Sequence, residues 1–270
     1  MNAGRAVHIT SRDNVLFKEL HRLAQDSTAY RKQGRVWLEG DHLCRAAMKR
    51  GVQPAIAVFS ESFWPLANTR WTRVAIKNVV ISDSLMGIVS ALESPARMAF
   101  VVDLPLAPAL LPGAASVILD GVQDAGNVGS ILRSAAAFGF GQIIALKETA
   151  ALWSPKVLRA GMGAHFALRL VERIEAQALD ELTVPIVVTS SHVGSALHEQ
   201  KLTMPCAWVL GHEGQGVSAS LMARASLSVR IEQPGGEESL NVAAAAAICL
   251  HASAGLRGLQ GSHRVSSGYN

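Results

Sequence analysis

The sequence predicts a two-domain α/β protein, in which a smaller mixed domain precedes a larger domain built on a mostly parallel sheet. Apolar residues make up 49% of the 270 residues and charged residues 17%, which supports packed cores and excludes a disordered chain. Pro105, Pro108 and Pro112 interrupt residues 103–114, and this proline spacing fits neither a helix nor a central strand. Beyond this segment, strand-like and helix-like stretches alternate, which is typical of a parallel sheet covered by helices on both faces.

These features predict four segments: an accessory domain at 1–103, a linker at 104–114, a larger domain at 115–258 and a flexible tail at 259–270. In the first domain, leucines at helical spacing follow Asp13 and Asn14, and either residue is a suitable cap for a helix over 14–24. The other elements predicted there are strands at 35–39, 56–60 and 79–82 and a helix at 41–49.

The larger domain is predicted to contain five strands and four helices in alternation. Short apolar runs bounded by glycine and polar residues favour strands, and longer runs with helical periodicity favour helices. The strands are expected at 116–120, 142–146, 186–190, 206–210 and 227–231, and the helices at 128–138, 156–162, 218–225 and 240–256.

The charge is distributed unevenly along the chain. Residues 1–100 carry 14 Lys and Arg against 8 Asp and Glu, whereas residues 101–270 carry 11 against 13. A basic N-terminal part favours a polyanionic partner such as nucleic acid, and a solvated surface on a stable domain is the alternative.

Cysteine usage and hydropathy indicate the setting of the protein. Cys44, Cys206 and Cys249 form no C-x-x-C pair and no zinc-binding set, so we expect a reduced, cytoplasmic environment and no metal site. The longest strongly apolar stretch, 242–250, has nine residues, whereas a helical membrane span needs about 20. The first residues lack the pattern of a signal peptide.

A glycine-rich segment at 119–133 follows a predicted strand and opens a predicted helix. Such a loop presents backbone N–H groups at the positive end of a helix, where an anion or phosphate binds well. Asn127 is a candidate cap of this helix, and Arg133 lies nearly two turns in, with a side chain that leans back towards the loop. A dinucleotide-binding fingerprint is an alternative, with Glu148 as its ribose-binding acid. Val128 and Ile131 stand where that fingerprint requires glycine.

Two further loops also follow predicted strands. The loop at 210–216 contains three glycines, which allow the backbone to approach a ligand closely, and it holds Glu213, which we expect to be solvated or paired. The loop at 231–242 leads into an alanine-rich helix for which Ser239 is a candidate cap.

Together and in this order, the three loops resemble the SpoU (TrmH) family of RNA ribose 2′-O-methyltransferases, within the SPOUT superfamily. The family motif N-x-G-x-x-x-R matches Asn127, Gly129 and Arg133; G-x-E-x-x-G matches Gly211, Glu213 and Gly216; and S-L-N-V matches 239–242. Residues 154–165 resemble the family's stretch between the first two motifs, where serine is commoner than the Gly161 of this chain. The match spans roughly 116–256, and residues 11–18 and 38–40 resemble the family's RNA-binding accessory domain less specifically.

The resemblance implies a C-terminal methyltransferase domain with a trefoil knot, S-adenosylmethionine as cofactor, a homodimer joined through the last helix, and RNA as substrate. The residues that it implies for catalysis are Arg133, Asn127, Glu213, Ser239 and Asn241. The residues expected to bind the cofactor are Thr189, Ser190, Leu210, Gly211, Glu213, Gly214, Gly216, Ile231, Gln233, Ser239, Leu240 and Asn241. The residues expected to contact RNA are Arg12, Lys18, Arg31, Lys32, Lys156 and Arg159.

In the family, the arginine of the first motif activates the ribose hydroxyl, and here that residue is Arg133. Because an arginine stays protonated, we expect Arg133 to clamp the substrate phosphate and stabilise the developing alkoxide rather than remove the proton. The accessory domain favours 23S ribosomal RNA over transfer RNA as substrate. A nicotinamide-dependent oxidoreductase and a non-catalytic RNA-binding module are the alternatives.

Overall fold

The chain forms two compact units in a computed structural model that describes residues 6–104, 107–190, 194–236 and 239–261. The first unit combines Met1–Leu106 with Trp153–Phe166, and the second combines Ala107–Leu152 with Ala167–Asn270. The boundary after Leu106 falls inside the segment predicted as a linker. Part of that segment is hydrogen-bonded within the second unit. The Pro112 carbonyl accepts a hydrogen bond from the Thr183 backbone N–H, and the Leu111 backbone N–H donates one to the Gln142 side chain.

The first unit contains a five-stranded mixed sheet in the order β1-β4-β3-β5-β2. β1, β4 and β3 run parallel to one another, and β5 is antiparallel to both β3 and β2. The strands are β1 (Ala6–Ile9), β2 (Arg35–Glu39), β3 (Ile56–Ser60), β4 (Lys77–Ile81) and β5 (Met98–Asp103). The helices are α1 (Val15–Gln25), α2 (Ala29–Gln33), α3 (Asp41–Lys49), α4 (Thr69–Thr72) and α5 (Asp83–Val89).

Helix α1 illustrates how this unit is built from its sequence. The Asn14 side chain accepts hydrogen bonds from the backbone N–H groups of Leu16 and Phe17, so Asn14 is the cap. Phe17, Leu20 and Leu23 recur at helical spacing and are buried against the sheet. Because these positions share one face, the opposite face of α1 stays in solvent.

The second unit contains a seven-stranded sheet in the order β10-β12-β9-β11-β6-β7-β8, in which every neighbouring pair is parallel. This arrangement confirms the predicted α/β class with a mostly parallel sheet. The strands are β6 (Ser116–Asp120), β7 (Gln142–Leu146), β8 (Arg169–Ile174), β9 (Ile186–Thr189), β10 (Ser195–Ala196), β11 (Ala207–Gly211) and β12 (Leu227–Arg230). Its helices are α6 (Ala125–Ala137), α8 (Ala219–Met222) and α9 (Val242–Gly261).

Strand order places three glycine-rich loops at one edge of this sheet. β6 and β11 are neighbours, and β9 and β12 follow on the same side. Because all four strands are parallel, their carboxyl ends meet at a single edge, where open α/β sheets bind their ligands. The loops that follow β6, β11 and β12 therefore lie together.

The segment Trp153–Phe166 belongs to the first unit although it lies between β7 and β8 in sequence. It contains helix α7 (Pro155–Gly161), which is capped by the Ser154 side chain. At Gly163, φ is +87° and a Cβ would overlap the Cβ of Ala46, so this position requires glycine. The sequence did not predict that this segment would pack with the N-terminal residues.

Several predicted boundaries differ from the structure. Helix α6 begins at Ala125 rather than 128, and α9 runs from Val242 to Gly261 rather than from 240 to 256. Residues 259–261 of the predicted tail are helical, and residues 262–270 lie outside the described residues. The prediction also omitted β1, β5, β8, β10, α2, α4 and α5. Among the described residues, no helix is long and apolar enough to cross a membrane.

Candidate functional site

A cleft of about 560 Å³ opens at the carboxyl edge of the parallel sheet in the second unit. The ends of β9 and β11, the loops after β11 and β12, and the first turns of α8 and α9 line it. Its lining residues are Thr189, Ser190, Gly211, His212, Glu213, Gly214, Gln215, Gly216, Val217, Met222, Ile231, Gln233, Ser239, Leu240, Asn241, Val242 and Ala245.

Eleven of the twelve residues predicted to bind the cofactor line this cleft, and their role in cofactor binding stays a prediction. The exception is Leu210, which lies within β11 with 1% of its surface exposed. Six lining residues were absent from the prediction: His212, Gln215, Val217, Met222, Val242 and Ala245. Two of them, His212 and Gln215, stand inside the motif loop and could have been found there.

The loop from Gly211 to Gly216 is closed by its own backbone. His212 and Gly216 exchange two hydrogen bonds, with N···O distances of 3.0 and 2.8 Å. A Cβ at Gly211 would overlap the carbonyl of Gly216 and the nitrogen of Val217, so only glycine fits this closure. Within the loop, the imidazole Nδ1 of His212 accepts hydrogen bonds from the backbone of Gly214 (2.9 Å) and Gln215 (3.3 Å).

Glu213 ties this loop to the start of helix α6. Its carboxylate accepts hydrogen bonds from the backbone N–H groups of Gln123 (3.2 Å) and Asp124 (3.0 Å) and from the Asn127 side chain (3.1 Å). Partial burial raises the pKa of Glu213, but these hydrogen bonds outweigh burial and hold the pKa below its ordinary value. The prediction that Glu213 would be solvated or paired is confirmed, since it is paired.

Asn127 and Asn241 extend the same cluster to the third loop. The Asn241 amide donates to Asn127 Oδ1 at 2.9 Å, and its own Oδ1 accepts from the backbone of Ala243 (2.9 Å) and Ala244 (3.2 Å). We call Asn127, Glu213 and Asn241 the rim cluster. It joins one residue from each of the three sequence motifs.

The two helix caps predicted at this site, Asn127 and Ser239, were wrong. Asp124, not Asn127, caps α6, because its side chain accepts from the Asn127 backbone at 2.7 Å. Asn241, not Ser239, accepts from the first N–H groups of α9. Asp and Asn are both strong capping residues, so the sequence alone could not choose between neighbours, and the true cap leaves Asn127 free to join the rim cluster.

Arg133 lies on α6 outside the cleft lining. The apolar face of α6, including Val128, Ile131 and Leu132, is buried, and Arg133 points away from it with an exposed side chain. Its side chain makes no hydrogen bond or ion pair within the described part of the chain. Its guanidinium is therefore available to a molecule that arrives from outside.

Gln233 contributes an unused acceptor to the cleft. Its Oε1 is buried and has no hydrogen-bond partner among the described residues. A buried polar atom without a partner is costly, so a ligand donor at this position would stabilise the site.

The six predicted RNA-contact residues all belong to the first unit. Lys18 pairs with Asp13 at 3.2 Å, and the Arg31 guanidinium lies over the Tyr30 ring at 5.4 Å. Lys156 and Arg159 stand on α7.

Fold and cleft together define an α/β protein with a ligand site at the carboxyl edge of a parallel sheet. Residues 114–251 match the model of the SpoU rRNA methylase family. The 23S rRNA (guanosine(2553)-2′-O)-methyltransferase RlmP of Bacillus subtilis is 31% identical over 218 residues, which cover 79% of this chain and 86% of that protein. The chain belongs to the SpoU rRNA methylase family, which confirms the resemblance seen in the sequence.

Further relatives agree with this assignment. A tRNA/rRNA methyltransferase of Synechocystis, described as uncharacterized, is 29% identical, with 90% of this chain and 92% of that protein covered. A crystal structure of an RNA 2′-O ribose methyltransferase superposes with a TM-score of 0.76 at 28% identity, covering 94% of this chain and all of that one. The fold therefore resembles that of a known RNA ribose methyltransferase.

Proposed function

We propose that this protein is a cytoplasmic RNA ribose 2′-O-methyltransferase that uses S-adenosylmethionine and acts on 23S ribosomal RNA as a homodimer. The observation that carries the proposal is the rim cluster at the edge of the cleft. Asn127, Glu213 and Asn241 come from three motifs and are separated by 86 and 28 residues in sequence, yet hydrogen bonds join them. Three matched motifs that meet around one cleft are far more specific than any of them alone.

The cleft suits S-adenosylmethionine in its size and chemistry. A volume of about 560 Å³ is within the range of small-molecule sites, and the glycines of the 211–216 loop allow close approach of the backbone. Thr189, Ser190 and the unpartnered Gln233 Oε1 offer polar contacts, and Leu240, Val242 and Ala245 offer apolar ones. When bound, this cofactor supplies an electrophilic methyl group on a sulfonium.

The protein's own residues would position and activate the ribose. Methyl transfer requires the 2′-hydroxyl to lose its proton, here to solvent water, as the new bond forms, and negative charge develops on that oxygen. The Arg133 guanidinium, which stays protonated, would hold the adjoining phosphate and stabilise the developing alkoxide. The rim cluster would orient the nucleotide, and Ser239 would help to place it beside the cleft.

The homodimer is supported by helix α9. Its first turns are rich in alanine, which lets another backbone approach closely, and Ile248 leaves 42% of its surface exposed. The Trp208 indole donates to Ser253 Oγ at 2.9 Å and holds α9 against β11. An apolar residue exposed on a firmly anchored helix favours contact with a second copy.

The choice of substrate rests on the relatives, since RlmP is named for 23S rRNA, whereas the Synechocystis protein is named for both tRNA and rRNA. The dinucleotide alternative is disfavoured by the positions of Val128 and Ile131. Both side chains lie on the buried face of α6, where the fingerprint needs glycines against a pyrophosphate.

Two measurements test the proposal. Isothermal titration should give micromolar binding of S-adenosylmethionine and no binding of NAD(H). Mapping of 2′-O-methylated nucleotides in ribosomal RNA from a strain lacking the gene should then show one missing methyl group, restored by the wild-type gene. Binding of NAD(H) alone would overturn the proposal, and an unchanged methylation map for both rRNA and tRNA would refute the enzymatic role.

A further inference from the structure

The net positive charge of the protein is concentrated in one short stretch. Residues 41–77 contain six Lys and Arg and two Asp and Glu, a balance of +4. The whole chain contains 25 Lys and Arg and 21 Asp and Glu. The residues outside 41–77 therefore contain 19 of each and carry no net charge. By contrast, residues 12–26, which include two of the predicted RNA contacts, contain three of each.

The fold brings two cations of this stretch, Arg45 and Arg70, together on the ring of Trp71. Trp71 leaves only 7% of its surface exposed, and its ring packs against Phe100 with centroids 6.0 Å apart. The Cζ atoms of Arg45 on α3 and Arg70 on α4 lie 5.7 and 5.6 Å from the centre of the indole ring. Both guanidiniums are within the range of a cation–π interaction, so a fixed ring holds two flexible cations in place.

Further cations flank this pair. Lys49 and Arg50 follow Arg45 by one helical turn, and Arg73 follows Arg70 by three residues, and all of them are exposed. We call Arg45, Lys49, Arg50, Arg70 and Arg73 the α3–α4 basic face.

The α3–α4 basic face has too few anions of its own. Arg45 pairs with Asp41, but Lys49, Arg50, Arg70 and Arg73 make no ion pair within the described residues. On a helix surface that is merely solvated, charges of both signs usually alternate, as Asp13 and Lys18 do beside α1. Clustered cations without partners favour a polyanion instead.

We propose that the α3–α4 basic face docks the sugar–phosphate backbone of the RNA substrate, an assignment that rests on the proposed function. Guanidiniums bind phosphate oxygens in pairs, and the Trp71 ring reduces the ordering that Arg45 and Arg70 must undergo on binding. Phosphate contacts position an RNA without reading its bases. The α3–α4 basic face therefore supplies affinity and orientation, whereas the second unit selects the nucleotide.

The test compares two double variants with equal loss of charge. Arg70→Gln with Arg73→Gln removes two cations of the α3–α4 basic face and leaves Arg45 paired to Asp41. The matched control is Arg35→Gln with Lys201→Gln, which removes one cation that pairs with Asp103 and one exposed cation of the second unit. Melting curves establish that both variants fold.

The probe is a fluorescein-labelled 40-nucleotide stem–loop RNA of mixed sequence, titrated by fluorescence anisotropy between about 50 and 300 mM KCl. Each lost phosphate contact should lower the slope of log Kd against log salt by about one. We expect the Arg70/Arg73 variant to bind about tenfold more weakly near 150 mM KCl, with a slope smaller by about 1.5–2. Its affinity for S-adenosylmethionine should be unchanged.

An Arg70/Arg73 variant that binds RNA as tightly as the control variant would overturn this inference. If the wild-type protein methylates RNA in the same experiment, the proposed methyltransferase function is unaffected. Conversely, RNA binding that depends on Arg70 and Arg73 in a protein without methylation activity would support the docking surface and refute the proposed function. A wild-type protein that does not bind the stem–loop at any salt concentration would refute both.

Discussion

The side chains of the rim cluster are held by hydrogen bonds, whereas the side chain of Arg133, on the exposed face of α6, makes none within the described residues. Both regions carry residues of the three sequence motifs. Glu213 accepts three hydrogen bonds, and Asn127 and Asn241 are bonded to each other, so these side chains are fixed before any ligand binds. Arg133 is exposed and unpartnered within the described residues. The difference indicates a division of labour: the rim cluster shapes the cleft, and Arg133 acts on the molecule that enters.

The largest expected effect comes from Arg133→Ala. If Arg133 stabilises the developing alkoxide, its loss should lower kcat about 10²–10³-fold, as removal of one oxyanion donor does. Because Arg133 does not line the cleft, the Kd for S-adenosylmethionine measured by calorimetry should stay unchanged. Equal loss of turnover and cofactor affinity would contradict the division between the two regions.

Gly211→Ala should weaken cofactor binding at the cleft, whereas Arg133→Ala should slow methyl transfer. The new methyl group overlaps the backbone of Gly216 and Val217, so the loop must move, and overpacking of this kind costs about 1–3 kcal/mol. We expect cofactor affinity to fall at least tenfold in calorimetry. Gly235→Ala is the control, because nothing lies within 4 Å of a Cβ there; similar losses in both variants would argue against a loop closure specific to Gly211.

His212 should show a smaller effect, since it acts only through Gly214 and Gln215. His212→Leu loses two backbone hydrogen bonds, each worth about 0.7 kcal/mol at the weaker end of the usual range, and should weaken S-adenosylmethionine binding roughly tenfold. His212→Asn keeps an acceptor near the Nδ1 position and should bind more tightly than His212→Leu. If the two variants bind equally, the imidazole does not shape the loop.

The smallest expected effect is the pH dependence that Glu213 gives to stability. Because its pKa is lowered in the folded state, its carboxylate stabilises the fold above the unfolded pKa, and this contribution disappears as pH falls through the folded value. Between about pH 6 and about pH 3.5, the free energy of unfolding in urea should therefore fall more steeply for the wild type than for Glu213→Gln. Parallel curves for the two proteins would show that the hydrogen bonds to Glu213 do not stabilise its carboxylate.

The sequence predicted the site better than it predicted the details of the fold. The motif loops could be placed because each follows a short apolar strand, and parallel strands bring their carboxyl ends together. The strands Met98–Asp103 and Arg169–Ile174 were missed, since one precedes the proline-rich segment closely and the other is interrupted by charged residues. The trefoil knot stays a prediction of the resemblance.

The features that the sequence did not predict depend on contacts between residues that are distant in sequence. The hydrogen bond between Asn127 and Asn241 joins positions 114 residues apart, and the arginine pair on Trp71 joins two helices separated by a strand. Neither arrangement leaves a local pattern. The excess of Lys and Arg in 41–77 is present in the sequence. A charge balance taken over residues 1–100 as a whole does not locate it on α3 and α4.

The most direct test of the central claim is a methylation reaction with a 23S rRNA transcript and S-adenosylmethionine labelled with tritium in its methyl group. Alkaline hydrolysis cleaves RNA except next to a 2′-O-methylated ribose. We expect a labelled alkali-resistant dinucleotide with the wild-type protein and almost none with Arg133→Ala, although both bind the cofactor equally. Label on a base, or equal labelling by both proteins, would contradict it.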